Sequence, residues 1–158
     1  MTVAPMTVAR SDSADWSLHR QLKADSFPMI NYGRLQFRLI NDRRFVWTLI
    51  VPMCPGAEQL HRLPPDWRNE ALDGLQALSD TLERLYQPDR LNVGAIGNLV
   101  DQLHLHCVAR FKDDPAWPGV VWGAGEREPM TPIEVLARVQ PIAAGLGDAL
   151  ARNSERTR

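Results

Sequence analysis

Cysteine is scarce in this chain: Cys54 and Cys107 are the two cysteines among 158 residues. They form neither a disulfide framework nor a C-x-x-C pair, which speaks against a disulfide-stapled secreted scaffold and fits a reducing, cytoplasmic location. An excess of charge of one sign is also missing. The 18 basic and 19 acidic residues leave a net charge of -1, so no basic surface for nucleic acid or anionic membrane organises the chain. No apolar run approaches the ~20 residues needed to span a bilayer. The longest, about Val46 to Met53, has the length of a strand. Met1 to Arg10 lacks a basic stretch followed by an apolar one, and so does not read as a secretory signal. There is no internal repeat and no low-complexity tract.

What is present is an ordinary globular composition, 44% hydrophobic and 23% charged, at a mass of 17.8 kDa that suits one domain. Residues 1–14 are small, polar and aperiodic, and are expected to be disordered. Residues 15–125 are expected to form the domain and 126–158 a C-terminal helical extension. A short helix is expected from Asp15, with Leu18 and Leu22 on one face and Phe27-Pro28 at its end. Met29–Tyr32, Leu35–Asn41 and Phe45–Pro52 read as strands, separated by Gly33 and by Asn41-Asp42-Arg43. The strongest helix should follow Pro64-Pro65, with Asp66 as N-cap. Its Leu72, Leu75, Leu78, Leu82 and Leu85 form an apolar stripe read as core, and Gln87-Pro88-Asp89 stops it. Leu91–Ile96 and Val100–Arg110 read as two further strands. The last helix should start at a capping box, Thr131-Pro-Ile-Glu134, with Pro141 kinking or dividing it.

The chemistry concentrates in Gln102-Leu103-His104-Leu105-His106-Cys107. On a strand, alternation would place Gln102, His104 and His106 on one face, ~7 Å apart in successive pairs, with Leu103, Leu105 and Cys107 beneath. Three readings of the histidine pair are open on residue chemistry alone. It is a solvated or hydrogen-bonded pair; it is part of a metal site, for which Cys54 and His61 are distant further ligands; or one imidazole is a nucleophile. The preceding Leu91-Asn92-Val93-Gly94-Ala95-Ile96-Gly97-Asn98 favours the last. Its glycines allow close backbone approach, and its two asparagines carry amide donors suited to phosphate oxygens. His19 and His61 read as surface histidines, Trp117 and Trp122 as packing residues, and Arg43-Arg44 as a solvated turn.

The stretch Leu91–Arg110 resembles the signature of the histidine triad (HIT) superfamily of nucleotide hydrolases and transferases. Asn92 matches the family asparagine, Gly97-Asn98 stands where the family has Gly-Gln, His104 matches the middle histidine and His106 the last. Phe37–Asn41 and Trp47–Pro52 resemble the two preceding family strands, so the resemblance covers roughly residues 20–112. Asp113–Gly123 resembles a feature of one bacterial subgroup. The departure is Gln102, where the family has its first histidine; an amide cannot titrate near neutral pH.

The resemblance implies an α+β fold: a five-stranded antiparallel sheet with one long helix, a short N-terminal helix and a C-terminal helix. It implies that His104 attacks the α-phosphorus of a small nucleotide through a covalent nucleotidyl-histidine intermediate. His106 and Asn98 would donate to phosphoryl oxygens, and Asn92 would fix phosphate or the loop. Asn41 would receive the ribose hydroxyls and Leu39 would lie against the base. Gln102 is read as a residue that orients His104. No metal or cofactor is required, and a homodimer is implied. The rivals are a nucleotide-binding protein with little turnover and a metal-binding protein using His104 and His106.

Overall fold

The structure is a computed structural model and describes residues 6–8 and 15–156. Six strands form one sheet: β1 (Met6–Val8), β2 (Ser26–Tyr32), β3 (Leu35–Ile40), β4 (Val46–Pro52), β5 (Arg90–Gly94) and β6 (Leu105–Arg110), in the spatial order β1-β2-β3-β4-β6-β5. β2 to β6 pair antiparallel, giving the expected five-stranded sheet. β1 adds a sixth strand, parallel to β2. Of the stretch 1–14 expected to be disordered, Met6–Val8 is this strand and the remainder lies outside the described residues. Three helices complete the fold: α1 (Arg20–Asp25), α2 (Pro65–Tyr86) and α3 (Pro132–Arg156).

Alternation along the strands divides the core in two. Leu35, Phe37 and Leu39 of β3, Ile50 of β4, and Leu105, Cys107 and Ala109 of β6 face α2 and α3. Ile40, Trp47, Leu49, Val51 and Val108 face the other way, into a smaller cluster with Leu22 of α1 and Val121. α3 contributes Val135, Val139, Ile142, Leu146 and Leu150 to the larger core, so the C-terminal extension shares one globule with the sheet.

α2 starts earlier than expected. Pro64 is the N-cap and Pro65 the first helical residue, with Asp66 inside the first turn beside the positive helix end. It ends where Gln87 turns left-handed (φ 48°), its N–H donating to the Glu83 carbonyl at 2.9 Å, and Pro88 prevents continuation. The face that packs is Ala71, Gly74, Ala77, Leu78, Thr81 and Leu82. Of the leucine stripe, Leu78 and Leu82 are core, Leu75 and Leu85 are half-buried at its margin, and Leu72 is 45% exposed. Small residues carry the contact because the helix lies close to β3. A Cβ on Gly74 would stand 2.5 Å from Leu35 Cδ1 and 3.2 Å from Phe37 Cζ.

α3 opens on the expected capping box: the Thr131 N–H donates to Glu134 Oε2 at 2.6 Å and the Glu134 N–H to Thr131 Oγ1 at 3.4 Å. The helix is assigned as one element through Pro141. Two strand expectations shift. Phe27-Pro28 lies inside β2 rather than ending α1. β6 begins only at Leu105, because Gly97 takes a positive φ of 66° and residues 95–104 run as an irregular loop.

Candidate functional site

The site is built at the entrance to β6. His106 lies on the strand, opposite Leu49 of β4 and Gly94 of β5. His104 stands just before it, in the loop. Both rings are buried, and their centroids lie 4.9 Å apart, nearly edge to face. Gln102 is thus not on the strand, and its side chain does not orient His104. Its backbone carbonyl does: it accepts from His104 Nδ1 at 2.7 Å.

The two imidazoles are held in opposite tautomers. A carbonyl can only accept, so His104 carries its hydrogen on Nδ1 and keeps a lone pair on Nε2. At His106, the Trp47 indole, which can only donate, gives its N–H to Nδ1 at 2.8 Å. His106 therefore carries its hydrogen on Nε2. One ring offers a nucleophilic lone pair and its neighbour offers a donor. Both are held neutral. Burial pushes the His106 pKa down to about 3, helped by the charges of His104 and Arg127. Burial also lowers His104, partly offset by its bond to the Gln102 carbonyl, with a further lowering from His19.

The other expected site residues are placed as follows. The Gln102 amide clamps the N-terminal segment: Oε1 accepts from the His19 N–H at 2.8 Å and Nε2 donates to the Ser17 carbonyl at 2.9 Å. Asn92 Oδ1 accepts from Arg110 Nη1 at 2.6 Å, tying β5 to β6. Asn98 is exposed in the loop before the histidines. Asn41 is not brought to the histidines, since its Oδ1 accepts from the Met130 N–H at 2.8 Å. Leu39 is wholly buried in the core beneath the sheet. Among the described residues, no three His, Cys, Asp or Glu side chains are gathered as a metal set, and Cys54 and His61 lie apart from the histidine pair.

Several residues were missed in the sequence. Trp47 sets the His106 tautomer. His19 is exposed, as expected, and caps α1, its Nδ1 accepting from the Gln21 N–H at 3.1 Å. Arg110 is buried in a two-pronged pair with Asp114, at 2.7 and 3.0 Å. Arg43-Arg44 lies in a turn with Arg43 exposed, but Arg44 pairs with the buried Asp42 at 2.7 Å and donates to the Ala124 carbonyl at 2.6 Å. Trp122 packs its ring 5.4 Å from His106 and 6.2 Å from Trp47. The Trp47–His106, Arg44–Ala124 and Trp122 contacts join residues far apart in sequence, whereas the His19 cap and the Arg110–Asp114 and Arg44–Asp42 pairs are local.

A cavity of about 750 Å³ lies toward β2 and β3, between α1 and the start of α3. Leu18, Phe27, Pro28, Met130 and Val135 give it apolar walls, and Arg38, Ser26 and Gln36 polar ones. It does not include the histidines. Ser17 lines it while its carbonyl holds Gln102, so the cavity and the histidine pair share a wall.

An α+β sheet carrying paired, oppositely polarised imidazoles at one strand entrance defines a class. The HIT domain model matches residues 33–113. A histidine triad protein of Bradyrhizobium japonicum is 31% identical with a TM-score of 0.80, over 83% of this chain and 98% of that one. One of Marinobacter aquaeolei is 36% identical with a TM-score of 0.78, over the same shares, 83% and 98%. One of Sinorhizobium meliloti is 32% identical with a TM-score of 0.79, over 87% and 98%. A search of the curated proteins finds no match. The chain belongs to the HIT family, whose members include nucleotide hydrolases, nucleotidyl transferases and nucleotide-binding proteins.

Proposed function

We propose that the protein is a nucleotide hydrolase or nucleotidyl transferase acting at the α-phosphate through a nucleotidyl-histidine intermediate. The observation that carries this reading is the pair of opposite tautomers at His104 and His106. His104 Nε2 forms the bond to phosphorus as the bond to the leaving group breaks. The resulting positive ring keeps its Nδ1–H on the Gln102 carbonyl, which favours the charged form. His106 Nε2–H donates to a phosphoryl oxygen as charge builds there. Water then displaces His104 and restores the neutral ring; in a transferase, an acceptor takes the place of water.

The nucleoside is assigned to the 750 Å³ cavity rather than to Leu39 and Asn41. Arg38 lines that cavity from β3, which lies two strand spacings, roughly 10 Å, from β6. A nucleotide can bridge the two. Asn98 is an exposed second donor for phosphate, and Asn92 acts by fixing β5. A homodimer joined through the β5 edge is part of this reading, motivated by the exposed apolar Val93 and Leu99. A cytoplasmic location accords with two free cysteines.

Incubation with a panel of α-phosphate-labelled nucleotides tests the mechanism. Labelled protein and released mononucleotide are expected, and both should vanish in His104→Ala. The second reading, a nucleotide-binding protein with little turnover, is favoured by one observation: both polar atoms of the Gln102 amide are engaged by Ser17 and His19. Binding without label on the protein would select it.

A further inference from the structure

The segment after β6 lies beyond the 33–113 match and folds back over the histidine face. Val121 is buried in the smaller core, Arg44 holds the Ala124 carbonyl at 2.6 Å, and the Arg43 N–H donates to the Glu128 carbonyl at 2.7 Å. Arg127 stands between these last two anchors. Its guanidinium lies 5.7 Å from the centre of the Trp47 ring, the same indole that donates to His106. The Arg127 charge reaches His106 and disfavours its protonation.

A nucleotide brings at least one negative charge to His104 and His106, and both of those rings are neutral. Nearby cations are already engaged. Arg110 is buried against Asp114, and Arg44 against Asp42. Arg127 differs. Its only ion-pair partner among the described residues is Asp25, at 3.2 Å, and both side chains are partly exposed, 42% and 30%. Pairs of this kind contribute about 0–1 kcal/mol, so exchanging the partner costs little. A phosphate accepts from a guanidinium in the same forked geometry as a carboxylate and carries at least as much charge.

We propose that Arg127 is a phosphate-binding residue of the nucleotide site, supplied by the segment outside the matched domain and held by Asp25 until a nucleotide takes its place. This rests on the nucleotide reading above. It implies that Asp25 competes with substrate. The alternative is that the pair simply ties the C-terminal segment to α1.

The two accounts differ in sign. Binding of the four nucleoside 5′-monophosphates and of the matching nucleosides to the full chain is measured by calorimetry. Arg127→Gln should weaken monophosphate binding about tenfold, the scale of one charge-assisted contact, and leave nucleosides unchanged. Arg127→Lys should retain part of it. Asp25→Asn keeps an acceptor for the Gln21 side chain, which donates to Asp25 at 3.0 Å, and should strengthen monophosphate binding about threefold. Weakening by both Arg127→Gln and Asp25→Asn would overturn the proposal in favour of a tie. Monophosphate binding unaffected by Arg127→Gln would overturn it too. If the unaltered protein binds neither nucleotides nor nucleosides, the nucleotide reading itself fails and takes the Arg127 assignment with it.

Discussion

The two faces of the sheet are covered on different principles. The α2/α3 face is mostly apolar and closed by two long helices whose packing positions are small or aliphatic, apart from Thr81, whose hydroxyl donates to the Ala77 carbonyl at 2.8 Å. The histidine face is covered by the short α1, the segment after β6 and a set of aromatic rings, and buries two imidazoles and Arg110. The first face holds the protein together by area. The second also buries polar groups, and an unpaired one costs ~1–3 kcal/mol. The imidazoles and Arg110 are hydrogen-bonded, whereas the Trp16 and Trp122 indole N–H groups are not, among the described residues. The histidine face is therefore where a one-atom change in polarity should alter chemistry, and the helix face where a change in volume should alter stability.

The sharpest way to break that division is His104→Ala. If the histidine face is for chemistry, turnover should fall roughly 10⁴-fold or more, as for other nucleophile removals. Nucleotide affinity should stay within about tenfold. Turnover at the normal rate would remove the covalent mechanism and leave the pair as a packing feature.

The helix face is tested by two leucines on one helix. Leu78 has no exposed surface and Leu72 is 45% exposed. Leu78→Ala should cost about 2–5 kcal/mol by urea denaturation, and Leu72→Ala under ~0.5 kcal/mol. Equal costs would mean that α2 packs through its leucine stripe after all.

That pair of residues also shows what was legible in the sequence. Leucine spacing located α2 and its stop, and the Thr131–Glu134 capping box located the start of α3, since both are local patterns. Which side of α2 packs was not legible. The choice is made by the close approach of Gly74 to β3, a tertiary fact. On the histidine face, the H-x-H spacing found His104 and His106. A backbone carbonyl fixing the His104 tautomer was foreseeable and is supplied by Gln102, two residues away. The group that sets the His106 tautomer was hidden, because Trp47 lies 59 residues from it. The Gln102 clamp likewise reaches residues 83 and 85 positions away. Expecting a strand from Val100 misread Gln102 for a related reason: alternation was applied to a stretch that is a loop.

Acid and alkali should undo the two faces from opposite ends. His106 is held at about 3, and His104 below its usual range, both chiefly by burial. In the unfolded chain each titrates near 6.5. Between those values the unfolded state binds more protons, so this stability is fully present above about pH 6.5 and is lost as pH falls. Each histidine contributes a slope of up to about 1.4 kcal/mol per pH unit. Cys107, on the helix face, has its thiol pushed up to about 11 by burial. There the folded state holds the proton longer, and stability is lost as pH rises above the ordinary thiol range. Urea midpoints from pH 4 to 10 should show both arms. His106→Gln should flatten the acid arm alone and Cys107→Ala the alkaline arm alone. Any other pattern would show that the two faces do not titrate separately.

The last test concerns Gln102. Were Gln102 a weakened catalytic position, Gln102→His should raise turnover. The structure assigns its side chain a different task. The amide places a donor and an acceptor side by side, toward the Ser17 carbonyl and the His19 N–H. An imidazole also has a donor and an acceptor, but on diverging edges of a rigid ring, so it meets at most one of the two partners. The site is half-buried, and a hydrogen bond there contributes about 1 kcal/mol. Gln102→His should therefore cost about 1 kcal/mol in stability and loosen the segment from Ser17 to α1. It should not raise turnover, because His104 is oriented by the residue 102 carbonyl, which the substitution keeps. Hydrogen exchange should show faster exchange at the His19 amide with little change in β6. A rise in turnover with that amide still protected would mean that an imidazole at 102 reaches the reacting atoms, and the clamp would then be incidental to the chemistry of this face.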